Sequence, residues 1–118
     1  MDDCIFCQIA SGRFKTNAVY ENDTVIAFDD VSPQAPVHTL VIPRVHYANL
    51  DDDVPAEVLG AVFSAVREVA RIKGIARSGY RVIVNNGRDA NQTVPHLHVH
   101  VLGGRPMTHG MVHFANEA

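Results

Sequence analysis

Apolar residues along this chain alternate with polar ones in some stretches, recur at helical spacing in another, and run together in a few short blocks. From Cys4, the run Cys-Ile-Phe-Cys-Gln-Ile-Ala predicts a short helical turn ended by Ser11-Gly12. Two short runs, Ala18 to Tyr20 and Thr24 to Phe28, flank Glu21-Asn22-Asp23 and predict a β-hairpin. Asp29 to Pro36 predicts a loop, punctuated by Ser32-Pro33 and Ala35-Pro36. Val37 to Ile42 predicts a strand with His38, Leu40 and Ile42 on one face and Val37, Thr39 and Val41 on the other.

One long helix is predicted from Pro55 to Lys73. Asp52 or Asp53 offers a cap, Pro55 suits the first turn and Gly74 suits the exit. Val58, Leu59, Val62, Phe63, Val66, Val69 and Ala70 form one apolar stripe, with Glu57, Arg67, Glu68 and Arg71 mostly away from it. Such a helix packs over a sheet. Tyr80 to Asn85 predicts another strand, Asn86 to Val94 a polar loop, and His96 to Leu102 a last strand. The order β-β-β-α-β-β, with mostly short turns, predicts an α+β domain with a mainly antiparallel sheet of about five strands and one long helix.

Length and composition narrow the picture. A chain of 118 residues with 47% apolar content predicts a single domain spanning residues 1–118, with its own core. Its formal charge of −3 argues against a groove for long nucleic acid, while a small phosphorylated ligand needs only a few local donors. No apolar stretch is long enough to span a bilayer, and the acidic start Met1-Asp2-Asp3 is unlike a signal peptide, so no membrane association and a cytoplasmic location are expected. Cys4 and Cys7 are then expected to be reduced. As a CxxC pair they are open to three readings: a metal site, a redox pair or two ordinary thiols.

His96-Leu97-His98-Val99-His100-Val101-Leu102 is the most informative stretch. On a strand its three imidazoles share one face, roughly 6.6 Å apart, while Leu97, Val99 and Val101 bury on the other. A solvated face would more often carry Lys, Glu or Thr. A metal site is a real competitor, because imidazole is a common neutral ligand. Upstream, residues 85–93 read Asn-Asn-Gly-Arg-Asp-Ala-Asn-Gln-Thr, small and amide residues that let backbone N–H groups approach an anion. His38 lies on a strand face, and Asp30 in the loop before it could accept hydrogen bonds from ribose hydroxyls.

These residues resemble the histidine-triad (HIT) proteins, whose signature is the alternation His96-Leu97-His98-Val99-His100-Val101. The segment from Asp30 to Pro43 is similar to the family's nucleoside-binding stretch. Asn85, Gly87, Gln92 and Thr93 fall where its phosphate loop would be, and Leu102-Gly103-Gly104-Arg105 is similar to the Hint branch. The resemblance covers about residues 4–107. It implies a homodimer whose sheets join across subunits, with a purine nucleotide of the AMP or GMP type in each cleft. His98 would be the nucleophile at the α-phosphorus, with His100 and Thr93 donating to phosphate or leaving group and His38 supporting the nucleophile. Asn85 and Gln92 would hold phosphate, Asp30 the ribose, and Phe28 and Val31 would flank the base. Neutral imidazole attacks phosphorus and leaves again readily, so no catalytic metal is required.

In many members of the family a CxxC pair binds zinc with two histidines, which here would be Cys4, Cys7, His46 and His96. Four such ligands close a tetrahedron, so the ion would be structural. The chain departs from the family in three places. Thr93 stands where Ser is usual, Pro95 precedes the triad, and the tail from Met107 to His113 lacks the aromatic-proline ending; His109 and His113 are expected at the surface. The leading expectation is a purine nucleoside phosphoramidase-like hydrolase releasing a nucleoside monophosphate. The alternatives are a dinucleoside polyphosphate hydrolase, against which the lack of an extra basic cluster argues, a nucleotide-binding interaction module, and a zinc-organised interaction domain.

Overall fold

A computed structural model of the chain describes residues 3–109. The order of elements is α1 (Ile5–Ala10), β1 (Ala18–Glu21), β2 (Val25–Asp29), β3 (Val37–Pro43), α2 (Ala56–Ile72), β4 (Tyr80–Ile83), a 3-10 turn (Arg88–Ala90) and β5 (Val99–Gly103). The five strands form one sheet in the order β1-β2-β3-β5-β4, and every neighbouring pair is antiparallel. The last strand therefore inserts between β3 and β4. That insertion sets the third triad histidine beside the first half of the chain, with His100 opposite Leu40 and His38 opposite Leu102.

Both faces of the central strands are covered. Val25, Ala27, Val41, Val99 and Val101 pack under α2 against Val62, Ala65, Val66, Val69 and Ala70. On the other face, Ile26, Phe28, Leu40 and Ile42 pack against Phe6, Ile9 and Ala10 of α1. Double coverage is why β2 and β3 read as apolar runs rather than as clean alternation. Among the described residues no helix is long and apolar enough to cross a membrane.

The ends of α2 show local chemistry at work. Gly74 adopts φ +74° and closes a Schellman motif: its N–H donates to the Arg71 carbonyl, and that of Ile75 donates to the Ala70 carbonyl. Ile75 then buries against the core. The start differs from expectation. Pro55 takes the N-cap position and no side chain caps the helix. Asp52 instead accepts from the Ala48 N–H at 2.8 Å, so that carboxylate shapes the preceding turn. Phe63 is 44% exposed rather than buried, because it lies about 90° around the helix from the centre of the packed stripe.

Two strand boundaries are also shorter than expected. β5 begins at Val99 rather than His96, since the Leu97 N–H donates to Tyr47 and the His96 N–H turns back to Val94. With no ladder before Val99, β4 has no partner beyond the pair Ile83–His100 and stops there. The polar loop after it contains the 3-10 turn. His109 is exposed, while His113 lies outside the described residues.

The Gly103-Gly104 pair has a packing reason. A Cβ on Gly103 would sit 2.8 Å from Ile75 Cδ1 and 3.3 Å from its Cβ, and one on Gly104, at φ +95°, would meet Pro36 at 2.9 Å. Gly103→Ala is therefore expected to cost about 1–3 kcal/mol, the scale of overpacking. Urea denaturation reads it directly, and an unchanged midpoint would show that Ile75 yields freely.

Candidate active site and metal cluster

The three triad histidines do not share one environment. His98 and His100 line a single cleft, whereas His96 turns away from it and is fully buried beside Cys4, Cys7 and His46. The expectation of three imidazoles on one strand face is thus corrected. His96 and His98 precede the ladder, so strand alternation does not govern where they point.

Hydrogen bonds determine the tautomer of each ring. His98 Nδ1 lies 2.7 Å from the His96 carbonyl oxygen, which can only accept, so Nδ1 carries the hydrogen and Nε2 keeps a free lone pair. His38 Nδ1 accepts from the Gln34 N–H at 3.0 Å, which leaves the His38 hydrogen on Nε2. That atom donates to His100 Nδ1 at 2.9 Å, across the diagonal of the β3–β5 pair. His100 must then carry its own hydrogen on Nε2. The cleft thus holds one imidazole lone pair, on His98, and one imidazole N–H donor, on His100, with ring centroids 5.1 Å apart. A nucleophilic lone pair and a hydrogen-bond donor side by side form an arrangement suited to displacement at phosphorus.

The cleft itself has a volume of about 350 Å³. Its apolar wall includes Phe28, Leu40 and Val94, with Val31 at its mouth, 97% exposed. Asp30 and Thr93 also line it. Asp30 accepts from the Ser32 N–H through one carboxylate oxygen, and its other oxygen lies 3.5 Å from His38 Nε2. Asn85 follows β4 and is half-buried. Gln92 is engaged inside its loop: its Nε2 donates to the Ala48 and Val94 carbonyls and its Oε1 accepts from the Gly87 N–H. Ile5, Phe6, Ile9, Phe14 and Thr16 line the same cleft and were not anticipated. Their signal was present in the spacing of Ile5, Phe6 and Ile9, which puts an apolar face on α1.

Cys4, Cys7, His46 and His96 bring four ligand atoms within 4.8 Å of one another. Cys7 Sγ lies 3.2 Å from His46 Nδ1 and 3.5 Å from His96 Nδ1, and Cys4 Sγ lies 3.5 Å from His96 Nδ1. A tetrahedral zinc with ordinary bond lengths has sulfur-to-nitrogen edges of about 3.6 Å. His96 Nε2 donates to the Pro43 carbonyl at 2.9 Å, which directs the Nδ1 lone pair at the thiols. The donor set and its spacing fit a thiophilic divalent ion. Asp30, His38 and His100 also lie together, but there the His38 hydrogen on Nε2 blocks the atom that would ligate.

Burial sets the charge states. The Cys7 thiol is pushed up to about 11 by burial and by neighbouring Cys4. Burial lowers His98, and it lowers His96 to about 4. His100 is lowered to about 4 by burial, with His98 and His38 adding to the effect. All three rings are neutral at pH 7. For His100 the consequence for stability has a definite sign. Between about pH 6.5 and 4 the unfolded chain binds a proton that the folded ring refuses, so stability falls as pH drops through that window and is unaffected above it. NMR titration of the His100 ring is expected to find its midpoint near 4; a midpoint near 6.5 would refute this.

The chain's likeness to known proteins agrees with this geometry. Residues 11–107 match the HIT domain family. The purine nucleoside phosphoramidase of Escherichia coli K12 is 40% identical over 115 residues, covering 95% of this chain and 96% of that one. An uncharacterized HIT-like protein of Azospirillum brasilense is 48% identical over 105 residues, covering 86% and 85%. A HIT family hydrolase from Clostridium thermocellum superposes with a TM-score of 0.89 at 41% identity, over 95% of this chain and 99% of that one. With the family model matching residues 11–107 and relatives about 40% identical covering nearly the whole of both chains, this chain belongs to the HIT domain family.

Proposed function

We propose that this protein is a nucleotide hydrolase that acts at the α-phosphate of purine nucleoside phosphoramidates or related nucleotidyl compounds and releases a nucleoside monophosphate. The observation that carries this reading is the pairing of a His98 Nε2 lone pair with a His100 Nε2 hydrogen in one cleft. His98 attacks phosphorus, forming a P–N bond as the bond to the leaving group breaks. His100 Nε2–H donates a hydrogen bond to the phosphate oxygen or the departing group, which takes its proton from solvent water. Water then attacks phosphorus, its proton passes to solvent, and the P–N bond breaks to free His98 and the nucleoside monophosphate. His38 keeps His100 in the donating tautomer. Thr93 and Asn85 hold the phosphate, and Gln92 shapes their loop from behind. Asp30 binds the ribose, and Phe28 and Val31 flank the base. These roles belong to a single domain whose functional core is residues 4–107, and a cytoplasmic setting suits its reduced cysteines. The related phosphoramidase of Escherichia coli supports the substrate class.

Zinc is the ion we assign to Cys4, Cys7, His46 and His96, as a structural ligand that ties the N-terminal segment to the triad. A homodimer is also part of this reading. Among the described residues β4 lies at one end of the sheet with its outer edge unpaired, and Val82 and Phe63 are exposed on the α2 side. Both features suit continuation of the sheet into a second copy. Sedimentation equilibrium is expected to give twice the chain mass, and Val82→Lys a monomer; a monomeric wild type removes this element.

The catalytic test is release of AMP from adenosine 5′-phosphoramidate. Turnover is expected from the wild type. A folded protein that binds AMP yet releases none from this substrate would overturn the phosphoramidase reading.

A further inference from the structure

Helix α1 stands between the cleft and the Cys/His cluster and belongs to both. Cys4 caps it and Cys7 lies in its first turn, with the Cys7 N–H directed at Cys4 Sγ at 3.4 Å. Both thiols face His46 and His96. Between them in sequence, Ile5 and Phe6 line the cleft, joined by Ile9 one turn on. The helix has only six residues, too few to hold its shape or place unaided.

Phe6 touches each party directly. Its ring meets Phe28 edge-on at 5.6 Å between centroids, His98 at 5.1 Å and His96 at 5.9 Å. It is 7% exposed, so there is little room for it to move alone. One ring therefore abuts a wall of the cleft, the imidazole with the free lone pair and an imidazole of the cluster. Whatever settles the two cysteines settles Phe6, and whatever fills the cleft presses on the same ring.

We propose that metal binding at Cys4, Cys7, His46 and His96 and nucleotide binding in the cleft are energetically coupled through Phe6. The inference rests on the reading of the cleft as a nucleotide site and of the cluster as a metal site. An ion that holds both thiolates fixes the chain on either side of Phe6 and holds its ring against Phe28 and His98. A base seated in the cleft holds the same ring from the opposite side. Linkage then requires each ligand to tighten the other by the same factor. Phe6 acts here as a positioning residue, and the metal state of the protein sets its affinity for nucleotide without an ion in the cleft.

The test measures zinc affinity of the full chain, under reducing conditions, by competition with a chromophoric chelator. It is run with and without saturating AMP, with correction for the zinc–AMP complex. AMP is expected to tighten zinc binding about 5-fold or more, the scale of ordinary coupling between sites. Phe6→Leu keeps an apolar side chain but removes the ring edge; it is expected to fold, to bind both ligands, and to lose most of that tightening. Equal zinc affinity with and without AMP in the wild type overturns the coupling. Full coupling in Phe6→Leu overturns the part given to Phe6. A wild type that binds no zinc, or no AMP, also overturns it, and shows which of the two underlying readings has failed.

Discussion

Replacing His98 with alanine is expected to lower AMP release from adenosine 5′-phosphoramidate by about 10⁴-fold or more, the scale seen when a covalent nucleophile is removed. The size follows from the lack of a substitute. His100 has its Nδ1 engaged by the His38 N–H and its hydrogen on Nε2, so it offers no lone pair to the cleft. His96 is fully buried and turned toward the cysteines. His38 donates from the nitrogen that faces His100. Of the four rings only His98 presents an unprotonated nitrogen to the cleft, because its Nδ1 hydrogen is donated to the His96 carbonyl and Nε2 keeps its lone pair.

The control must separate chemistry from folding. His98 is buried, and its removal leaves the His96 carbonyl without a donor, at a cost of about 1–3 kcal/mol. AMP affinity and the thermal midpoint of His98→Ala are therefore measured alongside turnover. His98→Gly supplied with free imidazole is expected to recover part of the rate. Turnover near the wild-type level in a folded His98→Ala would place the nucleophile elsewhere.

The second large effect is expected at His96. Its side chain is fully buried, packs edge-on against Phe6 and His46, and donates to the Pro43 carbonyl that ends β3. His96→Ala opens a cavity and orphans that carbonyl. The loss is expected to be about 3–5 kcal/mol, from large-to-small truncation in a core. At roughly 4–8 °C per kcal/mol for a small domain, the midpoint should fall by about 12 °C or more. If zinc occupies the cluster, a chelator should also lower the wild-type midpoint, because an ion that binds only the folded chain stabilises it. The same chelator should do nothing further to His96→Ala. A wild-type midpoint indifferent to chelation would leave His96 as a packing residue and remove the metal.

Much of this was readable from the chain. The stripe from Val58 to Ala70 announced α2, and Gly74 announced its end, because a positive φ after a helix favours that residue. The hairpin around Asn22 was also legible. Its side chain accepts from the Thr24 and Val25 N–H groups, the local chemistry that makes Asn a turn residue. The helix start was less legible: three aspartates precede it, and a sequence cannot say which carboxylate a neighbouring loop will claim. Ala48 claimed Asp52. The exposure of Phe63 and the cleft role of Phe6 were hidden for a related reason. Periodicity tells that a helix has an apolar face, but not how wide a face its neighbour covers.

By itself, the sequence determined the elements, the α+β class, and the residues from which both sites are made. Those properties depend on local propensity and on the period of the pattern, which a short window contains. Only the tertiary structure decided that β5 enters between β3 and β4, and so that His38 reaches His100 from a strand 62 residues away. It alone decided how the triad divides. Alternation assigns a face only within a paired ladder, and His96 and His98 come before the ladder begins. Their directions were set instead by two carbonyls, Pro43 for one ring and His96 for the other, which turned one histidine to the cysteines and left the next with its lone pair in the cleft.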